Sequence, residues 1–107
     1  MQKVGVEFGA TTGRPRRCGW LDLAVVNYAN AINGLSSINI TKLDVMSEFE
    51  NIEVITHYED SSGKRFNHMR SVISENEDLR AVSTTLKGWK SDITGIRKYK
   101  DLPSEAR

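Results

Sequence analysis

Apolar positions gather in the first sixty residues, and a polar stretch over residues 59–78 follows, built mostly from charged, Ser, Asn and Gly residues. Within the apolar part, Leu21, Ala24, Val25, Tyr28, Ala29 and Ile32 recur at steps of three and four, which puts them on one face of a helix. Gly34 stands where a left-handed cap ends such a helix, and Asp22 sits in its first turn, where a carboxylate favours the dipole or caps the start. The stripe is expected to pack into a core. Residues 4–8, 37–41 and 52–58 alternate or are rich in β-branched types and read as strands. Asp60-Ser61-Ser62-Gly63-Lys64 reads as a turn, with residues 65–69 as a returning strand. Further on the periodicity weakens: Gly88 and Trp89 are placed in a structured loop, and residues 97–107 remain unassigned.

The segment between the first strand and the helix is Gly9-Ala10-Thr11-Thr12-Gly13-Arg14-Pro15-Arg16-Arg17. Glycine lets amide N–H groups converge on an oxyanion, threonines add hydroxyls, and the planar guanidinium grips carboxylate or phosphate with two parallel hydrogen bonds. A loop of this kind after a strand and before a helix lies where open α/β sheets bind ligands. The chain is nearly neutral, with fifteen basic and fourteen acidic residues and a net charge of +1. That balance argues against a dedicated nucleic-acid binder and favours a local anion site. A second motif, Thr41-Lys42-Leu43-Asp44, ends a predicted strand. Its carboxylate can accept both the ring N–H and the exocyclic amine of guanine while the lysine stem packs on the base.

At 107 residues the length suits one small domain, but the 38% hydrophobic content is low for that size, as for part of a larger core with a polar excursion. The single cysteine, Cys18, excludes an intrachain disulfide and points to a reduced, cytoplasmic compartment. Neither a long apolar run nor a signal-peptide pattern is present, so no membrane partner is expected.

Together these motifs closely resemble the adenylosuccinate synthetase family. The resemblance rests on residues 4–22 around the Gly/Arg loop, continues through Thr41-Lys42-Leu43-Asp44-Val45, and reappears in Gly88-Trp89-Lys90-Ser91-Asp92-Ile93-Thr94-Gly95. It implies an α/β fold: part of a P-loop-NTPase-like domain with a mainly parallel sheet, plus a β-hairpin excursion. It implies a purine-biosynthetic ligase that joins IMP to L-aspartate at the expense of GTP, with Mg²⁺, in a homodimer. On this resemblance Ala10, Thr11, Thr12, Gly13, Arg14, Pro15 and Arg16 form the loop that closes on aspartate. Arg14 also contacts IMP, Arg16 contacts GTP, and Lys42, Leu43 and Asp44 bind guanine.

The same resemblance makes residues 1–107 a partial carboxyl-terminal region, with the amino-terminal phosphate loop, the catalytic aspartate and histidine, and the Mg²⁺ ligands outside it. No catalytic residue or metal ligand is assigned here, and the chain alone is expected to be inactive. Ser83-Thr84-Thr85-Leu86-Lys87 departs from the family's Tyr-Glu-Thr-Leu-Pro. A non-catalytic GTP- or anion-binding module derived from the enzyme would use the same residues. His57, in a predicted strand, and His68, near a polar hairpin, read as structural or solvated. Cys18, beside Arg16 and Arg17, reads as a small core residue rather than a reactive thiol, and Trp20 and Trp89 as packing residues.

Overall fold

The computed structural model describes residues 1–67 and 78–107. Among the described residues, one α-helix accompanies a four-stranded sheet centred on β2 (Asn51–Glu59). Strand β1 (Leu21–Asp22) pairs with it in parallel, Leu21 opposite Val54 and Asp22 opposite Ile55. Strand β3 (Arg65–Phe66) pairs antiparallel, Tyr58 opposite Phe66 and Glu59 opposite Arg65. Strand β4 (Arg80–Lys87) also pairs with β2. The α/β class holds, and the sheet is mixed. The returning strand predicted over residues 65–69 appears as the short β3, while His68 and Met69 lie outside the described residues.

The chain divides into two compact units: Met1–Gly19 with Ile40–Ile52 and Leu86–Arg107, and Trp20–Asn39 with Glu53–Thr85. In the second unit, helix α1 (Leu23–Asn33) begins because extended Asp22 turns a carboxylate oxygen onto the Val25 N–H at 3.1 Å. It ends at Gly34, whose φ of 61° is open to glycine and whose N–H reaches the Asn30 carbonyl at 2.8 Å. Both caps are those expected from the sequence. The predicted turn also forms: one Asp60 oxygen accepts from the Ser62 and Lys64 amides at 2.9 and 3.0 Å, and Gly63 takes φ 81°.

The expected core stripe does not form as a core. Leu21 falls in β1 instead of the helix; Ala24 is fully buried and Ala29 partly, but Val25, Tyr28 and Ile32 are exposed, because no described residue covers that face. Apolar periodicity marks a face suited to burial without saying what covers it.

In the first unit, Gly5 and Ile93 are buried, and so is Gly88, whose N–H donates to the Glu50 carbonyl at 2.7 Å. A Cβ on Gly88 would collide with the Phe49 carbonyl. Residues 4–8 are not the predicted strand. Residues 2–6 form a turn, with Gly5 N–H on the Met1 carbonyl at 2.8 Å, and Phe8 alone makes a bridge, to Pro15. Residues 37–41 make no ladder either. β-branched residues favour strands only where a partner completes the hydrogen-bond ladder, and no described strand does so here.

Candidate functional site

The Gly/Arg loop is a tight irregular hairpin. The Gly9 N–H donates to the Arg14 carbonyl at 2.8 Å, the Gly13 N–H to the Gly9 carbonyl at 2.9 Å, and the Arg16 N–H to the Glu7 carbonyl at 2.9 Å. Gly13 makes the reversal at φ 67°, where no side chain is tolerated cheaply. These bonds leave Ala10, Thr11, Thr12, Gly13 and Arg14 at an exposed tip, with no side-chain partner for Thr11, Thr12 or Arg14 among the described residues. The tip therefore presents free hydroxyls and a free guanidinium, the donors an anion needs.

The antiparallel bridge between Phe8 and Pro15 has a second effect: it sets Glu7 across from Arg16. One Glu7 oxygen accepts from Arg16 Nη1 at 3.3 Å, and the other accepts from Lys42 Nζ. The same ammonium donates to the Gly5 carbonyl at 2.7 Å. The Lys42 hydrogen bond and charge, followed by those of Arg16, hold the Glu7 carboxyl below its usual value. Two residues expected at the GTP site, 26 positions apart, thus share one carboxylate, and Glu7 itself was not singled out from the sequence. The one available signal was charge complementarity across the ends of an arginine-bearing loop.

A cleft of about 370 Å³ opens beside this junction, lined among others by Glu7, Arg16, Arg17, Cys18, Lys42 and Met46. Three cations and one carboxylate leave its wall positive, as suits an anionic ligand. Cys18 is exposed, against the expectation of a core residue, because the loop carries it out along the cleft; its thiol donates to the Arg16 carbonyl at 3.7 Å. Arg14 does not line this cleft.

Lys42 takes φ 58°, unusual for a side chain with a Cβ, and caps a 3₁₀ turn over Leu43–Met46 in place of the expected strand end. Asp44 does not line the cleft that holds Glu7. Asp44 is exposed on the rim of two further clefts, one of about 580 Å³ that reaches Lys90 and Ser91 and one of about 360 Å³ that reaches Ile93 and Leu102. Leu43 faces the latter. Lys42 and Asp44 thus both stand at the start of the turn yet line different clefts. Trp89 packs from the 88–95 segment and donates from its ring N–H to Ser47 Oγ at 3.2 Å.

Elsewhere, His57 is buried, between Thr56 Oγ1 at 2.9 Å and Glu59 Oε1 at 3.2 Å, as a structural histidine. Among the described residues no three His, Cys, Asp or Glu side chains gather to hold a metal ion. No described helix is long and apolar enough to cross a membrane.

The family model for adenylosuccinate synthetase matches residues 1–107. The chain belongs to the adenylosuccinate synthetase family. An adenylosuccinate synthetase of Meyerozyma guilliermondii is 49% identical over 107 residues, which are all of this chain and 25% of that protein. One of Trichlorobacter lovleyi is 50% identical over the same span and share. The solved structure of fully ligated adenylosuccinate synthetase from Plasmodium falciparum is 37% identical, superimposes with a TM-score of 0.89, and matches 98% of this chain and 26% of its own. The chain thus spans about a quarter of the length of these relatives.

Proposed function

We propose that these residues act in a GTP-dependent ligase that joins IMP to L-aspartate to form adenylosuccinate, releasing GDP and phosphate, on the route to AMP in the cytoplasm. On this reading residues 1–107 form the carboxyl-terminal region of a homodimeric enzyme whose Mg²⁺ sits on residues outside this chain. Support comes from family membership along the whole chain together with one geometric observation: Arg16 and Lys42 meet at Glu7, directly below a loop tip rich in unpaired donors.

Ala10 to Arg16 would hold the two aspartate carboxylates with threonine hydroxyls, backbone amides and guanidinium groups. Arg14, free at the tip, would also reach IMP, and Arg16 the GTP phosphates. Lys42 binds Glu7 and Gly5 through its ammonium, which leaves its stem as an apolar platform for the base. Asp44 has no side-chain partner among the described residues and would accept both guanine donors.

Asp44→Asn tests this in a family enzyme whose matching quarter is replaced by residues 1–107. The change turns one acceptor into a donor facing a donor. Hydrogen bonds to charged groups contribute about 1.5 to 3 kcal/mol, so GTP affinity should fall by roughly one to two orders of magnitude. Xanthine nucleotide, with a carbonyl where guanine has its amine, should gain relative to GTP. An unchanged preference between the two removes the guanine assignment.

A further inference from the structure

Glu7 is an acidic group in a cleft built for an anion. A carboxylate there opposes nucleotide binding by simple charge repulsion, so its presence calls for a compensating role. The contacts supply one. Its two oxygens separately engage Arg16, at the end of the Gly/Arg loop, and Lys42, at the head of the turn that carries Asp44. The side chain is about three-quarters shielded from solvent, whereas Arg16 and Lys42 are each about half exposed toward the cleft. Lys42 is held further by the Gly5 carbonyl, and the Arg16 main chain by the Glu7 carbonyl and by Gln2, whose amide donates to the Arg16 carbonyl.

Resting on the guanine-nucleotide reading, we propose that Glu7 is a positioning residue for that site, fixing the Arg16 guanidinium and the Lys42 stem at one spacing without touching the nucleotide. Ion pairing occupies the Lys42 ammonium, so the lysine meets the base with its methylenes instead of capturing a phosphate. The single, longer contact to Arg16 aims the guanidinium and leaves most of its N–H groups free. Two flexible cations that would otherwise repel each other are thereby ordered before the ligand arrives, which lowers the entropy lost on binding.

The sign of one substitution separates positioning from electrostatics. Glu7→Gln removes a negative charge from the cleft. A purely electrostatic role therefore tightens GTP binding, and a positioning role weakens it. In the chimera carrying residues 1–107, KM for GTP should rise about tenfold, with kcat and KM for IMP within about twofold of the parent. Glu7→Asp keeps the charge and one of the two contacts, so it should recover most of the loss.

A GTP KM that is unchanged or lower in Glu7→Gln overturns the proposal. Parallel rises in the KM for GTP and for IMP, with a lower melting temperature, make Glu7 a scaffold residue and overturn it too. Binding of a fluorescent GDP analogue gives a second reading. If the parent chimera folds and binds the analogue without turnover, the ligase reading fails while the same sign test on Kd still decides Glu7. Failure of the folded parent to bind the analogue overturns both.

Discussion

Replacing Asp22 tests whether one carboxylate joins the start of α1 to the sheet. One of its oxygens caps the helix through the Val25 N–H, and the other accepts the Tyr58 hydroxyl from β2. That hydrogen bond foremost, then burial, then the Asp22 charge push the Tyr58 hydroxyl from 10.0 up to about 12. A rise of that size corresponds to at most about 2.7 kcal/mol. Tyr58 is only partly buried, and screening reduces its share to about 1 kcal/mol. Losing an N-cap carboxylate costs about 1 kcal/mol.

Asp22→Ala should therefore destabilise the second unit by about 2 kcal/mol, whereas Asp22→Asn, which still caps well, should cost about 1. The folded state holds the Tyr58 proton more tightly than the unfolded state. This contribution is accordingly complete below the ordinary tyrosine value of 10.0 and disappears as pH rises through about 12. Urea denaturation gives the energies. Tyrosinate absorbance gives the titration, with Tyr58→Phe identifying Tyr58 among the three tyrosines. If Asp22→Ala costs no more than Asp22→Asn, or Tyr58 titrates unchanged in Asp22→Asn, the two-oxygen account is wrong.

Gly88→Ala should be severe, about 3 kcal/mol or more, because its Cβ meets the backbone carbonyl of Phe49 rather than a side chain able to turn away. A melting temperature equal to the parent's would refute that packing. The Glu7 carboxyl, held low by Lys42 and Arg16, should contribute stability above its ordinary value of 4.5 and lose it as pH falls through the lower folded value. The difference in urea midpoint between parent and Glu7→Gln should close on acidification; a gap that stays constant with pH would contradict the ion pairs.

The features legible from the sequence are those decided by near neighbours. Asp22 and Gly34 bound α1 through contacts three and four residues away, and Asp60 folds its turn around amides two and four residues on. Features that depend on distant partners were harder to read. Residues 4–8 and 37–41 have strand-like composition but lack a ladder, while β4 has a mostly exposed, polar face pattern and forms because β2 lies beside it. Oppositely ordered contacts along the two strands hold it there: Glu53 with Ser83 and Thr85, Thr56 with Val82, and Glu59 with Arg80. The loop and the Lys-x-Asp turn were recognisable as motifs. Their connection through Glu7 was not, because it exists only once the Phe8 to Pro15 bridge has set the register.

The uncovered face of α1 has a consequence for handling the polypeptide in solution. Val25, Tyr28 and Ile32, between 38% and 62% exposed, run down one side of the helix as a greasy seam. A net charge of +1 provides almost no long-range repulsion to keep two such seams apart near neutral pH. This helix face therefore favours self-association of the polypeptide. Solubilising changes belong at these three positions, none of which is part of the arginine loop or the Lys42 turn.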